Sequence, residues 1–252
     1  MTEIARLAGR EVILSALVGA HNYHLEGAGS DEDWKHIVLP SFDDLYSKRA
    51  FASAETSPDC DYTAHDLRRF AELIRKGNPY FLEILFSRQW RVHDRHSAFA
   101  QALLARRDRL AAMNRAGLYR HCLGTAKEKL RTLRKGTETT LPLVRRYGYD
   151  TKEALHAFRL LDLVKRYAGF GWDFDAALRY EGEPRQQMLA LKQGGVADSR
   201  IDAMLAEKFR EAEALAPRYQ AAPLDTDTAD WLEKSVRRQV RLALADELRD
   251  ER

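Results

Sequence analysis

The chain has 252 residues, 45% hydrophobic and 31% charged, enough apolar material for one large domain or two modest ones. No apolar run approaches the roughly 18 to 20 residues of a membrane-spanning helix. The first twenty residues carry acids and arginines and no convincing cleavage site, so a cytoplasmic protein without a membrane partner is expected.

The net charge of +3 is unevenly placed: residues 1–100 hold 12 basic and 15 acidic side chains, 101–135 hold 10 and 2, and the remainder 19 and 21. The middle block is where a polyanion would be attracted; a solvated helix face is the alternative. Cys60 and Cys122 have no metal or redox spacing and read as buried or neutral thiols.

"EVILSALVG" is an apolar, β-branched run closed by glycine, which predicts a buried strand at about 12–18. A loop over 19–33 follows, then a second strand in "WKHIVLP" and a short helix in "FDDLYSK". "CDYTAHDL" predicts a third strand of about five residues, with Asp66 capping the helix "LRRFAELIRKG". Asn78 and Pro79 open another helix, asparagine at the cap and proline at the first position.

Residues 96–134 show helical spacing, with "HDRH" at 93–96 a polar turn before it. The glycines and proline of 135–150 predict a linker. Helices are expected at about 151–168, 183–193, 198–215 and 228–249. The fold class is therefore α+β: a small mixed-sheet core over 1–95, then a helical region over 96–252.

Asp31 and Asp33 are two residues apart, so on an extended segment both carboxylates project to one side while Glu32 points away. If the second and third strands are neighbours, Asp61 completes a trio. Converging carboxylates repel unless a cation neutralises them, and all-oxygen donors suit Mg2+ (or Mn2+). Each acid taken alone also fits a solvated turn or a strand-edge charge.

"LVGAHNYHLEGAGSDEDWKHIVLP" resembles the signature of DNA polymerase β-like nucleotidyltransferases, a strand, a Gly-Ser turn and Asp-x-Asp entering the next strand. It is more similar still to a group of predicted bacterial and phage nucleotidyltransferases with Tyr-x-Leu after the turn and Ser-Asp-x-Asp before an aromatic and a lysine. "CDYTAHDLRRFAELIRKGNPYFLEILFS", "LYRHCLGTAKEKL" and "YDTKEALHAFRLL" extend the resemblance over about residues 12–220. It implies that Asp31, Asp33 and Asp61 ligate the metal and that Gly19 brings backbone amides to the nucleotide phosphates. Ala20 departs from the family's serine and removes a hydroxyl; His21 or Asn22 would replace that donor.

Lys152, His156 and Arg159 lie at spacings of four and three on one helix face, where they would neutralise a triphosphate. Zinc at His21, His24 and Asp33 fits no helical zinc motif, and the acidic context favours oxygen ligation. Tyr23 is either a nucleobase platform or a local anchor, and His65 reads as a strand-end residue. Tyr119 and His121 interleave with the basic block, a composition suited to an RNA acceptor.

The function expected is metal-dependent transfer of an NMP from an NTP, such as ATP, to an acceptor hydroxyl on an RNA end or a protein side chain. The alternative is a non-catalytic nucleotide-binding regulatory or interaction module.

Overall fold

The computed structural model describes residues 6–27, 29–57 and 60–250. Its strands are β1 (Arg6–Leu7), β2 (Arg10–Leu17), β3 (Asp33–Val38), β4 (Ala52–Ser57), β5 (Cys60–Asp66) and β6 (Trp90–Val92). They form a six-stranded sheet in the order β1-β2-β3-β5-β4, with β6 also paired to β2. All described pairings are antiparallel except β3 with β5, which run parallel. That pairing sets the second and third predicted strands side by side, in register from Asp33↔Asp61 to Val38↔Asp66.

Helices α1 (Ala20–Tyr23), α2 (Phe42–Tyr46), α3 (Leu67–Arg75), α4 (Pro79–Leu82), α5 (Ser97–Leu104) and α6 (Arg107–Ala112) join and follow these strands. The Asp66 side chain accepts from the Arg68 amide and Asn78 from the Tyr80 amide, as the capping residues predict. The second helix is shorter than expected and tightens into a 3-10 turn over Glu83–Phe86. Buried Ile13, Leu14, Ile37, Leu67, Phe70 and Phe86 build the core beneath the sheet.

The rest of the chain is helical: α7 (Arg115–Thr132), α8 (Leu141–Tyr147), α9 (Thr151–Gly169), α10 (Phe174–Leu178), α11 (Gly182–Lys192), α12 (Asp198–Glu213), α13 (Ala216–Gln220) and α14 (Thr226–Asp250). The class is α+β. The predicted linker contains α8, because Leu141 and Pro142 begin a turn whose end Gly148 closes in the left-handed region. The short strands β1, β4 and β6 were absent from the sequence reading. "ASAETS" has no apolar alternation, and it becomes a strand only through its pairing with β5.

The chain divides into two compact units, one of Met1–Asn22, Glu26–Asn114 and Asp225–Arg252, the other of Tyr23–Leu25 and Arg115–Leu224. These boundaries differ from the expected functional division at 95/96. Within the second unit α9 is central, its buried face set by Leu155, Phe158 and Leu161. Three buried tyrosines there donate hydrogen bonds: Tyr149 to the Val196 carbonyl (2.9 Å), Tyr219 to that of Val164 (2.7 Å), and Tyr180 to Asp162 (3.1 Å).

Burial holds His36 and His65 neutral, each lowered to about 4. Ser15 Oγ lies 2.7 Å from His36 Nδ1, and His65 packs against Phe81 at 4.8 Å between ring centroids. An unfolded chain protonates these imidazoles near their ordinary value of about 6.5, so acid favours unfolding. Their contribution is intact above pH ~6.5 and declines as pH falls toward about 4, by up to about 2.7 kcal/mol per pH unit for two protons. Urea denaturation is expected to show a lower midpoint at about pH 5 than at about pH 7.

Candidate active site

Gly19 follows β2 with φ of +67°, which lets the chain turn sharply into α1. The Val18 amide donates to the Asp33 carbonyl (2.8 Å), tying this turn to the first residue of β3. A Cβ added at Gly19 would lie 1.9 Å from Asp33 Oδ2. The glycine is thus required twice, by its backbone angle and by the carboxylate lodged against it.

Asp33 and Asp61 are direct partners across the parallel β3–β5 pair. In-register neighbours project to the same face, so both side chains leave the sheet at one corner. Burial, then the charges of Asp61, Asp31 and Glu83, raise the pKa of Asp33, with Lys35 opposing them. The sequence-predicted trio therefore shares one electrostatic neighbourhood. Glu32 turns elsewhere, its carboxylate accepting from the Trp34 indole at 3.1 Å. The Thr56 hydroxyl lies 3.3 Å from Asp61 Oδ1 and orients it.

The sequence did not show the pairing of Lys35, the lysine after the Ser-Asp-x-Asp motif, with Glu83 at this corner. Lys35 Nζ lies 2.7 Å from Glu83 Oε1 and 2.6 Å from the Tyr80 carbonyl, and the Glu83 carboxylate is buried. The one signal was a lone acid inside the apolar run "PYFLEILF". The pair is 48 residues apart, and only the packing of the 3-10 turn on the sheet joins it.

Of the proposed replacements for the missing serine hydroxyl, the Asn22 amide is buried and donates to the Glu83 carbonyl at 3.0 Å. His21 Nε2 is buried and has no hydrogen-bond partner among the described residues. Ala20 supplies only its backbone.

In the helical unit, Asp150 caps α9 by accepting from the Lys152 and Glu153 amides (2.9 and 3.1 Å). Lys152 is exposed, whereas His156 and Arg159 are half-buried. Burial, then Arg159, Lys129 and Lys152, lowers the His156 pKa to about 3. His156 is therefore uncharged at neutral pH, and the cationic charge on this face comes from Lys152 and Arg159. The Arg159 guanidinium lies 3.6 Å from the ring centre of Tyr23. Tyr23 is buried, and its carbonyl accepts from the Tyr180 amide at 3.0 Å, so it is an anchor of the unit.

Much of the basic block is engaged. In the first unit Arg106 stacks on Trp231 and Arg107 on Phe86. In the second, Arg115 stacks on Trp172, while Lys129 pairs with Glu153 and Arg134 with Asp198 and Asp202. Tyr119 is buried against Tyr219 and is a core residue rather than a stacking platform. Arg120 and Arg131 remain exposed on α7. Burial raises the pKa of the Cys122 thiol, consistent with an inert residue; the side chain of Cys60 lies outside the described residues. No described helix is long and apolar enough to cross a membrane.

A family model described as RlaP, the RNA repair pathway DNA polymerase beta family, matches residues 1–166 of the 252. That span includes all three aspartates and the cationic face of α9. No curated protein and no solved structure gives a match.

Proposed function

Because the chain belongs to the RNA repair pathway DNA polymerase beta family, we propose that it transfers an NMP from an NTP to an acceptor hydroxyl, with Mg2+ (or Mn2+) held by Asp31, Asp33 and Asp61. The family points to nucleotidyltransferase-like activity in general. The observation that carries the specific reading is Asp33, wedged against Gly19 and in register with Asp61. Its raised pKa gives the fit to a divalent ion: the cluster is short of positive charge, and its donors are oxygens.

In the proposed reaction the acceptor oxygen bonds to the α-phosphorus, and the bond from that phosphorus to the oxygen bridging to the β-phosphate breaks. Pyrophosphate leaves. Asp61, oriented by Thr56, takes the proton of the acceptor hydroxyl. The amides of the Gly19 turn and the imidazole of His21 bind phosphate oxygens, and the Lys35–Glu83 pair fixes the floor of the site. Bound magnesium supplies charge neutralisation and Lewis-acid polarisation. Residues 1–95 form the catalytic core in this reading, and 96–252 complete the nucleotide and acceptor site. Lys152 and Arg159 bind the leaving pyrophosphate, with His156 a neutral hydrogen-bonding group. The acceptor is an RNA end, in keeping with the family's description, or a protein side chain, and the reaction is cytoplasmic.

Incubation with each α-labelled NTP, magnesium and either total RNA or the protein alone tests this. Pyrophosphate release with label transferred to one acceptor is expected. A Lys152→Ala, Arg159→Ala double variant is expected to bind NTP about tenfold or more weakly, by loss of two charge-assisted contacts. Unchanged binding would remove those residues from the site.

The absence of a hydroxyl at Ala20 and the engagement of Asn22 favour one second reading, a nucleotide-binding module without turnover. That module would bind NTP tightly and release no pyrophosphate.

A further inference from the structure

Away from the aspartates, the first unit brings together Glu11, His93 and His96, one ligand atom from each lying within 4.8 Å of the others. Glu11 is at the start of β2, eight residues from Gly19, or roughly 25 Å of extended strand. Three elements build the cluster. The sheet supplies Glu11, and the His93 amide donates to the Ile13 carbonyl of β2 (3.4 Å). The 3-10 turn Asp94–His96 then folds His96 back beneath His93, their rings 5.8 Å apart.

His96 is only 3% exposed, and its Nε2 stands 3.2 Å from Glu11 Oε1, close enough to pair with that carboxylate. His93 Nδ1 is buried and has no hydrogen-bond partner among the described residues. A buried, unpartnered imidazole nitrogen beside a carboxylate–imidazole pair costs stability unless a ligand satisfies it. For ligands about 2.0–2.1 Å from zinc, a tetrahedral edge is about 3.4 Å. The His96–Glu11 separation nearly matches that edge, and the remaining contacts, within 4.8 Å, need to close by at most about 1.4 Å.

On the far side of the ring, the amide nitrogen of Gln239 in α14 lies 2.8 Å from His96 Nδ1. Rotation of that amide presents its oxygen to an Nδ1–H and frees Nε2 as a donor to a metal, the orienting contact that ligating histidines usually have. Arg95 competes for Glu11 at 3.6 Å but is also paired with Asp246. A cavity of about 460 Å³, lined by Glu11, Arg95, His96, Phe99, Trp231 and Gln239, gives an ion a way in.

The geometry points to a second metal site, at Glu11, His93 and His96, that takes a zinc-class ion and couples β2 and the 3-10 turn to α14 through Gln239. Two imidazoles and one carboxylate select zinc or cobalt over magnesium, and three protein ligands leave a position for water. The site is independent of the nucleotide chemistry.

Cobalt(II) titration of chelator-treated full-length protein, followed by visible absorption, tests it. Wild type is expected to develop d–d bands saturating at one equivalent and bleached by zinc. Glu11→Gln and His93→Gln, both at half-buried positions, are expected to lose the bands while keeping wild-type circular dichroism. An Asp31→Asn, Asp33→Asn, Asp61→Asn variant is expected to keep them. Featureless wild-type spectra, bands undiminished in folded Glu11→Gln and His93→Gln, or bands lost in the aspartate variant would each overturn the site.

Discussion

Gly19→Ala is expected to cost both stability and activity. Gly19 sits at φ of +67°, where an alanine is strained by roughly 1–2 kcal/mol. The larger effect is steric. The new methyl would come within 1.9 Å of Asp33 Oδ2, so the carboxylate must swing away or the turn must open. Either displaces Asp33 by about an ångström relative to Asp61 and the turn amides, a misplacement that costs about 100-fold in rate when reacting groups must be aligned. Pyrophosphate release is expected to fall by that order, with a lowered Tm. Wild-type turnover in Gly19→Ala would show that Asp33 need not lie where the turn holds it.

Asp33→Asn is expected to separate the two quantities. Its pKa is raised, chiefly by burial and then by Asp61, Asp31 and Glu83, so ionised Asp33 disfavours the metal-free fold. That penalty is present above the folded-state pKa and is relieved as pH falls through it. The neutral amide removes it at all pH values. The metal-free variant is therefore expected to melt higher than wild type, while pyrophosphate release drops on the order of 10³-fold for want of a ligand charge. Magnesium with NTP is expected to raise the Tm of wild type and not of the variant. A destabilised metal-free Asp33→Asn would mean that Asp33 is structural in its ionised form.

How much of this was legible in the sequence depends on the range of the interaction. The period-two spacing of Asp31 and Asp33, the caps at Asp66 and Asn78, and the helix from 151 are local, and local chemistry reveals them. The pairing of β3 with β5 was a conditional expectation, since no pattern within either strand specifies a parallel partner 28 residues away. The glycine turn was legible as a turn; its contact with Asp33 depends on how β3 registers on β2. Lys35 with Glu83, and Glu11 with His93 and His96, are joined only by packing. "HDRH" read as polar because the sequence does not show that His96 is buried. The same holds for α14, which groups with the first unit although it ends the chain. Tyr119 misled in the opposite direction: an aromatic among cations looks like a stacking surface until its burial is known.

The most direct measurement is an anomalous difference map from crystals grown with Mn2+ and a non-hydrolysable NTP. Manganese peaks among the carboxylates of Asp31, Asp33 and Asp61, with the triphosphate against the Gly19 turn, are the expected result. Manganese absent from that corner while nucleotide is bound elsewhere would contradict the assignment of these three aspartates as the metal ligands of a nucleotidyltransferase.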